Sequence, residues 1–338
     1  MRIVNDVKWE VGFEAYEAAA ARFVELCEEC GIGRDRVGFF GEVSFPGVSD
    51  LDAVVTGEGP ALARVRARHR EEVRISEPYG YVFWHEPLWI LDEVAGEARV
   101  LHTMEGLKRA DGKEGAFVPG IQREAGRRVL NVAWLISLLW MVADLKRQGS
   151  AGLRLLLLMH KNLHHSMHAF GRDAGARGET LMGAADLRDW ARQHRGREDC
   201  AELARMVWAQ VLGALTAACR AMDAVCGGMP ESGGVGARWI LTRRIIFRRG
   251  AATTFDAEKG RIGLNAYAFM VAKGYLNGRA ACPELRRYLE AEDCSRRAYE
   301  RVGLEYPFIE PIPVASRGWR RFLTRGVNRL ADALWGVF

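Results

Sequence analysis

Between residues 11 and 30 the apolar side chains recur with the period of a helix. Phe13, Tyr16, Ala20, Phe23, Leu26 and Cys27 fall near one face, and Gly31 and Gly33 end the run. The period then changes. Val37–Val43 is a short apolar stretch, Phe45-Pro46-Gly47 has the chemistry of a turn, and Asp50–Thr56 reads as a second strand with β-branched residues at its end. Beyond Gly57 and Gly59-Pro60, Ala61–Glu72 is a basic helix carrying Arg64, Arg66, Arg68 and Arg70. Val73–Ile75, Tyr81–Trp84 and Leu88–Leu91 read as further strands. Residues 1–105 thus predict a small mixed α/β domain.

From about residue 121 helical periods dominate. Ile121–Gln148, Leu153–Phe170, Met182–Gln193 and Asp199–Cys226 predict a helical bundle over residues 120–230, with Gly149-Ser150 and Gly227-Gly228 between helices. The glycine-rich stretch 105–120 reads as the link between the two domains. In the remainder, 235–338, Trp239–Arg249 suits either strand or helix and Glu284–Gly303 is helical. Pro307, Pro311 and Pro313 precede a final basic amphipathic helix, with Trp319, Phe322, Leu330, Trp335, Arg320 and Arg329 among its residues. Such a helix suits a subunit contact or peripheral contact with an anionic membrane. The chain as a whole predicts an α+β protein, with no internal repeat at any fixed period.

Composition narrows this only modestly. Apolar residues are 49% and charged residues 27%, enough for packed cores and against general disorder. A net charge of +5 is compatible with an anionic partner without selecting one. The 7 cysteines are odd in number and scattered, which suits a reduced cytoplasmic interior. Cys27 and Cys30 form a C-x-x-C inside the first helix and have no second such pair, so they read as helix residues. No basic start followed by an apolar run is present, so no secretory leader is expected. Val132–Ala143 is too short to span a bilayer and reads as a buried helix.

The segment that carries chemistry is residues 37–55. Strand geometry sends alternate side chains to opposite faces, so Asp50 and Asp52 project together while Leu51 turns to the core. Adjacent carboxylates repel unless something positive lies between them, and a hard divalent cation prefers such oxygen ligands. Gly41 precedes them, where backbone can approach an anion closely.

An apolar strand (Phe39-Phe40), Gly41, a loop, and Ser49-Asp50-Leu51-Asp52 on the next strand together resemble the signature of the polymerase-beta-type nucleotidyltransferase superfamily. The resemblance covers roughly residues 35–95. It implies a nucleotidyltransferase-like domain followed by a mostly helical one. It also implies that Asp50 and Asp52 bind Mg²⁺, that Gly41, with Ser44 and Ser49, admits the phosphates of a nucleoside triphosphate, and that a nucleotidyl group passes to an unknown acceptor. A third carboxylate on a later strand is implied too. Asp92 is the first candidate for it, with Glu86 and Glu77 as rivals. Glu42 stands where the superfamily carries a serine. A catalytically degenerate binding module is therefore the second expectation. A metal-dependent glycosyltransferase using Asp-x-Asp is the third, but it needs a larger domain before the pair than the roughly fifty residues present.

Elsewhere, His160, His164 and His168 follow i, i+4, i+8 on one helix, with His165 beside them. This run reads as a polar helix face or the lining of a cleft, with metal binding a further option. Arg123, Arg127, Arg128, Lys146 and Arg147 read as solvated charge at helix ends. The glycines of 227–236 lack the ending of a P-loop and read as a connection.

Overall fold

The computed structural model of the chain describes residues 2–41, 43–102, 104, 106–113, 124–170, 181–194, 200–226, 239–242, 245–256, 261–277, 280 and 282–308. Strand β1 (Arg2–Val4) comes first, then helix α1 (Phe13–Glu29). The apolar period of α1 buries Tyr16, Phe23, Leu26 and Cys27, and past the cap at Cys30 the chain turns away through Gly31, whose φ of 84° lies in the left-handed region. Strands β2 (Val37–Phe40) and β3 (Asp52–Gly57) follow, then α2 (Gly59–Ile75), with Pro60 in its first turn. Next come α3 (Glu77–Val82), β4 (Leu88–Leu91), α4 (Ala95–Leu101) and β5 (Lys108–Arg109).

Two expected strands are helical instead. Val73–Ile75 continues α2, and Tyr81 and Val82 end α3. Apolar runs this short carry no period of their own. What decides here is packing, with Tyr79 and Val82 buried three residues apart on one side of α3. The stretch read as a link contains an edge strand, β5, and residues 114–120 of it lie outside the described residues.

The second half of the chain runs α5 (Glu124–Gln148), β6 (Ser150–Gly152), α6 (Leu153–Ala169), α7 (Ala184–Gln193) and α8 (Cys200–Cys226). It continues with β7 (Trp239–Thr242), β8 (Ile245–Arg249), β9 (Thr254–Asp256), β10 (Arg261–Leu264), α9 (Ala266–Asn277) and α10 (Pro283–Val302). Trp239–Arg249, undecided from its pattern, is a pair of antiparallel strands.

The described residues fall into two compact units. One comprises those of Val7–Glu124 and Glu290–Ile309, the other those of Met1–Asp6 and Ala125–Leu289. This partition differs from the boundaries expected near 105–120 and 230–235. Residues 290–309 join the N-terminal unit, and the first residues pair with β6 through β1 in the helical unit.

In the N-terminal unit the sheet order is β4-β3-β2-β5; β2 pairs antiparallel with β3 and β5, and β3 pairs parallel with β4. Phe23, Leu62, Val65, Val54, Trp89 and Ile90 form its core. The outer edge of β4, buried along its length, is closed by Tyr299, whose hydroxyl donates to the Trp89 carbonyl and accepts the Leu91 N–H at 3.2 Å. The helical unit packs α6 on α8 and α7, and carries a second sheet, β7-β8-β10-β9. Asp223 of α8 accepts from the Thr253 N–H at 2.7 Å, the Thr253 hydroxyl at 2.6 Å and Asn265 Nδ2 at 2.7 Å, tying the connection between strands to the helix. Within α5, Arg127–Gln148 is long and apolar enough to cross a membrane, yet 72% of its apolar 18-residue stretch is buried, as in the core helix of a folded unit.

Candidate metal centre

The acidic pair is set by the pairing of β2 with β3. In that ladder Phe40 lies opposite Asp52, the first residue of β3, so Asp52 sits where the strand emerges from the core. Asp50 precedes the strand, and Leu51 between the two is 9% exposed, as alternation requires. Gly41 follows β2 with φ of 73°. A Cβ there would lie 2.9 Å from Asp52 Oδ2, so this glycine leaves room for the Asp52 carboxylate. Glu42, the residue that departs from the superfamily pattern, lies outside the described residues.

The loop between them is a tight turn. The N–H groups of Val48 and Ser49 both donate to the Phe45 carbonyl, at 3.1 and 2.9 Å. Tyr16 donates its hydroxyl to the Ser49 carbonyl at 2.6 Å and accepts the Gly47 N–H at 3.1 Å. Ser49 is fully buried, and its Oγ accepts the Phe45 N–H at 3.2 Å. Its hydroxyl shapes the turn from a fully buried position, whereas the expectation had it admit phosphate. Ser44 in the same loop is exposed.

The third member of the site is His85, which the sequence reading did not single out. Its Nε2 lies 2.7 Å from Asp52 Oδ1 and 3.3 Å from Asp50 Oδ2. Among the described residues, Asp50, Asp52 and His85 form a group whose potential ligand atoms all lie within 4.8 Å of one another. Its lip is open: the side chains of Asp50, Asp52 and His85 are 17%, 25% and 49% exposed. On the far side of the ring, Nδ1 lies 3.0 Å from the Glu86 carbonyl oxygen. A carbonyl only accepts, so Nδ1 carries a hydrogen and Nε2 is the nitrogen that a proton or a metal ion would occupy. Loss of hydration pulls the pKa of His85 down. Hydrogen bonding and charge from Asp50 and Asp52 push it up more strongly, and the net position is well above the ordinary imidazole value.

Asp92 does not belong to this group. In the parallel ladder Leu91 lies opposite Gly57, the last residue of β3, whereas Asp52 is its first. Five strand steps of about 3.3 Å each put Asp92 at the other end of the sheet from the acidic pair. There it takes both its carboxylate oxygens to Arg36 Nη1, at 2.9 and 2.7 Å. The rivals are engaged as well. Glu77 pairs with Lys8. Glu86 precedes β4 close to the level of Asp52, but it accepts from Arg66 Nε at 2.7 Å, from Arg70, and from Trp89 Nε1 at 3.3 Å. The signal that was available is the position of His85, just ahead of the strand that pairs with Asp-x-Asp. Its use required the register.

The histidine run on α6 is solvated only in part. His160 is 1% exposed, and its ring centroid is 4.5 Å from that of His164. Burial pushes the His160 pKa down to about 3, with His164 and Arg188 adding to the effect, while His165 and His168 are exposed. Cys27 is buried in α1, and burial raises its thiol pKa far above the ordinary value, as for an inert core cysteine. The glycines of 227–236 and the basic helix of 316–338 lie outside the described residues.

Comparison with protein-family models, curated proteins and solved structures returns no match for this chain.

Proposed function

We propose that the chain is a divalent-metal-dependent nucleotidyltransferase that uses a nucleoside triphosphate and an unidentified acceptor. One observation carries the reading: Asp50, Asp52 and His85 converge within 4.8 Å at the open end of β3, beside a glycine whose missing side chain keeps the Asp52 carboxylate there. The donor set fits a divalent cation, because two neighbouring carboxylates and an imidazole nitrogen converge on one point where a positive centre is favourable. Mg²⁺ is the ion the carboxylates by themselves lead one to expect. When bound, such an ion supplies charge neutralisation for a triphosphate and activation of an acceptor hydroxyl. In this arrangement Asp50 and Asp52 would hold the ion with His85 as a third ligand, and the open lip would give phosphate oxygens and water access to it. Ser44, exposed on the adjoining loop, stays a candidate for phosphate contact. The free thiols of Cys27, Cys30, Cys219, Cys226, Cys282 and Cys294 suit a cytoplasmic setting.

Asp52→Asn tests the reading. Pyrophosphate release from nucleoside triphosphates should fall on the order of 10³-fold or more, because charge stabilisation worth several kcal/mol is removed. The melting temperature should stay within a few degrees, since Asp52 is not part of the core. Undiminished turnover in this variant would defeat the proposal.

One observation favours a second reading, a non-catalytic nucleotide-binding module on the same scaffold. A protonated His85 can itself neutralise much of the acidic pair. Calorimetry with nucleoside triphosphates separates the two. Binding that needs no metal and yields no pyrophosphate supports the module.

A further inference from the structure

We infer that the ion taken by Asp50, Asp52 and His85 is a first-row transition-metal dication, such as Mn²⁺ or Zn²⁺, in preference to Mg²⁺. The inference rests on the reading of these residues as a metal centre and concerns which chemistry that centre selects.

The argument begins with the ring. The contact of 3.0 Å between Nδ1 and the Glu86 carbonyl commits Nδ1 to a hydrogen, so in the neutral imidazole the lone pair is on Nε2. Nε2, the position a proton or a metal ion takes, faces carboxylate oxygens at 2.7 and 3.3 Å. A proton on Nε2 bridges these groups in the absence of an ion, and a dication that displaces it meets one nitrogen and two carboxylate oxygens at the same point. Backbone carbonyls that fix the distant nitrogen of a histidine are the usual support of metal-binding imidazoles.

Distances agree with this use. Donors about 2.1 Å from a shared ion lie roughly 3.0–3.4 Å apart at tetrahedral or octahedral angles. The observed 2.7 and 3.3 Å need only small side-chain adjustments to meet that spacing.

The ligand types then choose among ions. Mg²⁺ is a hard cation that keeps oxygen ligands and loses its water reluctantly. Imidazole nitrogen favours the first-row transition metals, and affinity for mixed nitrogen and oxygen sites rises along that row. Among the described residues, the further carboxylate at this level, Glu86, is withdrawn to Arg66 and Arg70. One nitrogen and two carboxylates with an open lip also match a catalytic rather than a closed structural metal site.

The test uses the full-length, metal-free chain with Mn²⁺ as probe, read by pulsed electron paramagnetic resonance and by competition with Mg²⁺. The wild type should show nitrogen coupling to bound Mn²⁺ and should retain Mn²⁺ against an excess of Mg²⁺ of about tenfold. His85→Ala should lose the nitrogen coupling and most of that preference, and Asp52→Asn should lose the bound ion. His85→Asp, which supplies a third oxygen donor, should move the preference toward Mg²⁺. If His85→Ala does not fold, the wild-type coupling and the His85→Asp shift still decide. Mg²⁺ binding as tight as Mn²⁺ with no nitrogen coupling would overturn the inference and leave the metal centre standing. Nitrogen coupling that survives in folded His85→Ala would overturn it too. A wild type that binds neither ion would overturn the metal centre itself.

Discussion

His69 and His85 belong to the same unit and meet opposite surroundings. His69, on α2, is 1% exposed and enclosed by aromatic rings, with centroids of Phe23, Phe83, Tyr79 and Trp89 at 5.5, 5.1, 5.5 and 5.7 Å. Its Nδ1 lies 2.8 Å from the Tyr79 hydroxyl. Burial pushes its pKa down to about 4; Glu86 opposes that shift and Arg70 adds to it. His85 also loses hydration, but it faces Asp50 and Asp52, and its pKa rises. Burial acts on both in the same direction. What reverses the outcome is a pair of carboxylates within hydrogen-bond reach.

The residue next to His85 sharpens the contrast. Glu86 turns to Arg66 and Arg70, which Glu305 also reaches, so two acids meet two bases. Around His85 two carboxylates approach one imidazole nitrogen, with their potential ligand atoms within 4.8 Å of one another and the lip open to solvent. The arginine network lies beside α2 and takes no part in that group, which separates an ion cluster of the fold from a candidate site.

The largest effect expected in the fold concerns His69. A folded pKa near 4 against an ordinary 6.5 means that the unfolded chain binds the proton first. The stability contributed by neutral His69 is therefore complete above pH 6.5 and is lost as pH falls toward 4, by about 3 kcal/mol in all. Urea unfolding at a series of pH values should reveal this slope, and His69→Gln should flatten it. An unchanged slope in the variant would remove the contrast between the histidines.

Glu86→Gln comes next. Arg66, with 10% of its side chain exposed, would keep only part of its charge compensation, and stability should fall by about 2 kcal/mol, discounted for the 35% exposure of Glu86. Metal affinity should stay within a few-fold of wild type. A large loss of metal binding would show that the two networks are one.

Gly41→Ala should have the smallest effect on stability, about 1–2 kcal/mol for a β-carbon in the left-handed region. The new methyl would crowd Asp52 Oδ2, so metal affinity should drop while the His69 titration is untouched. Calorimetry on the variant checks both parts, and unaltered metal affinity would remove the role given to this glycine.

Much of the framework was legible beforehand. The expected helix at residues 11–30 is α1, and the strand at Leu88–Leu91 is β4; the acidic pair indeed projects from one side of a chain whose Leu51 turns inward. Tyr81–Trp84 was misread because four apolar residues fit strand and helix alike. Asp92 was misassigned because proximity in sequence to a strand says nothing about which end of the sheet it occupies.

Amino-acid order by itself determined the local elements and the projection of Asp50 with Asp52, since helix and strand periods are properties of the backbone and act over a few residues. The parallel register of β4 against β3 was decided only in three dimensions. It brings His85 to the acidic pair, sends Asp92 to Arg36, and hands Glu86 to the arginines of α2. Register depends on how whole faces pack across distant segments, and a shift of one residue would turn each of these side chains to the opposite face.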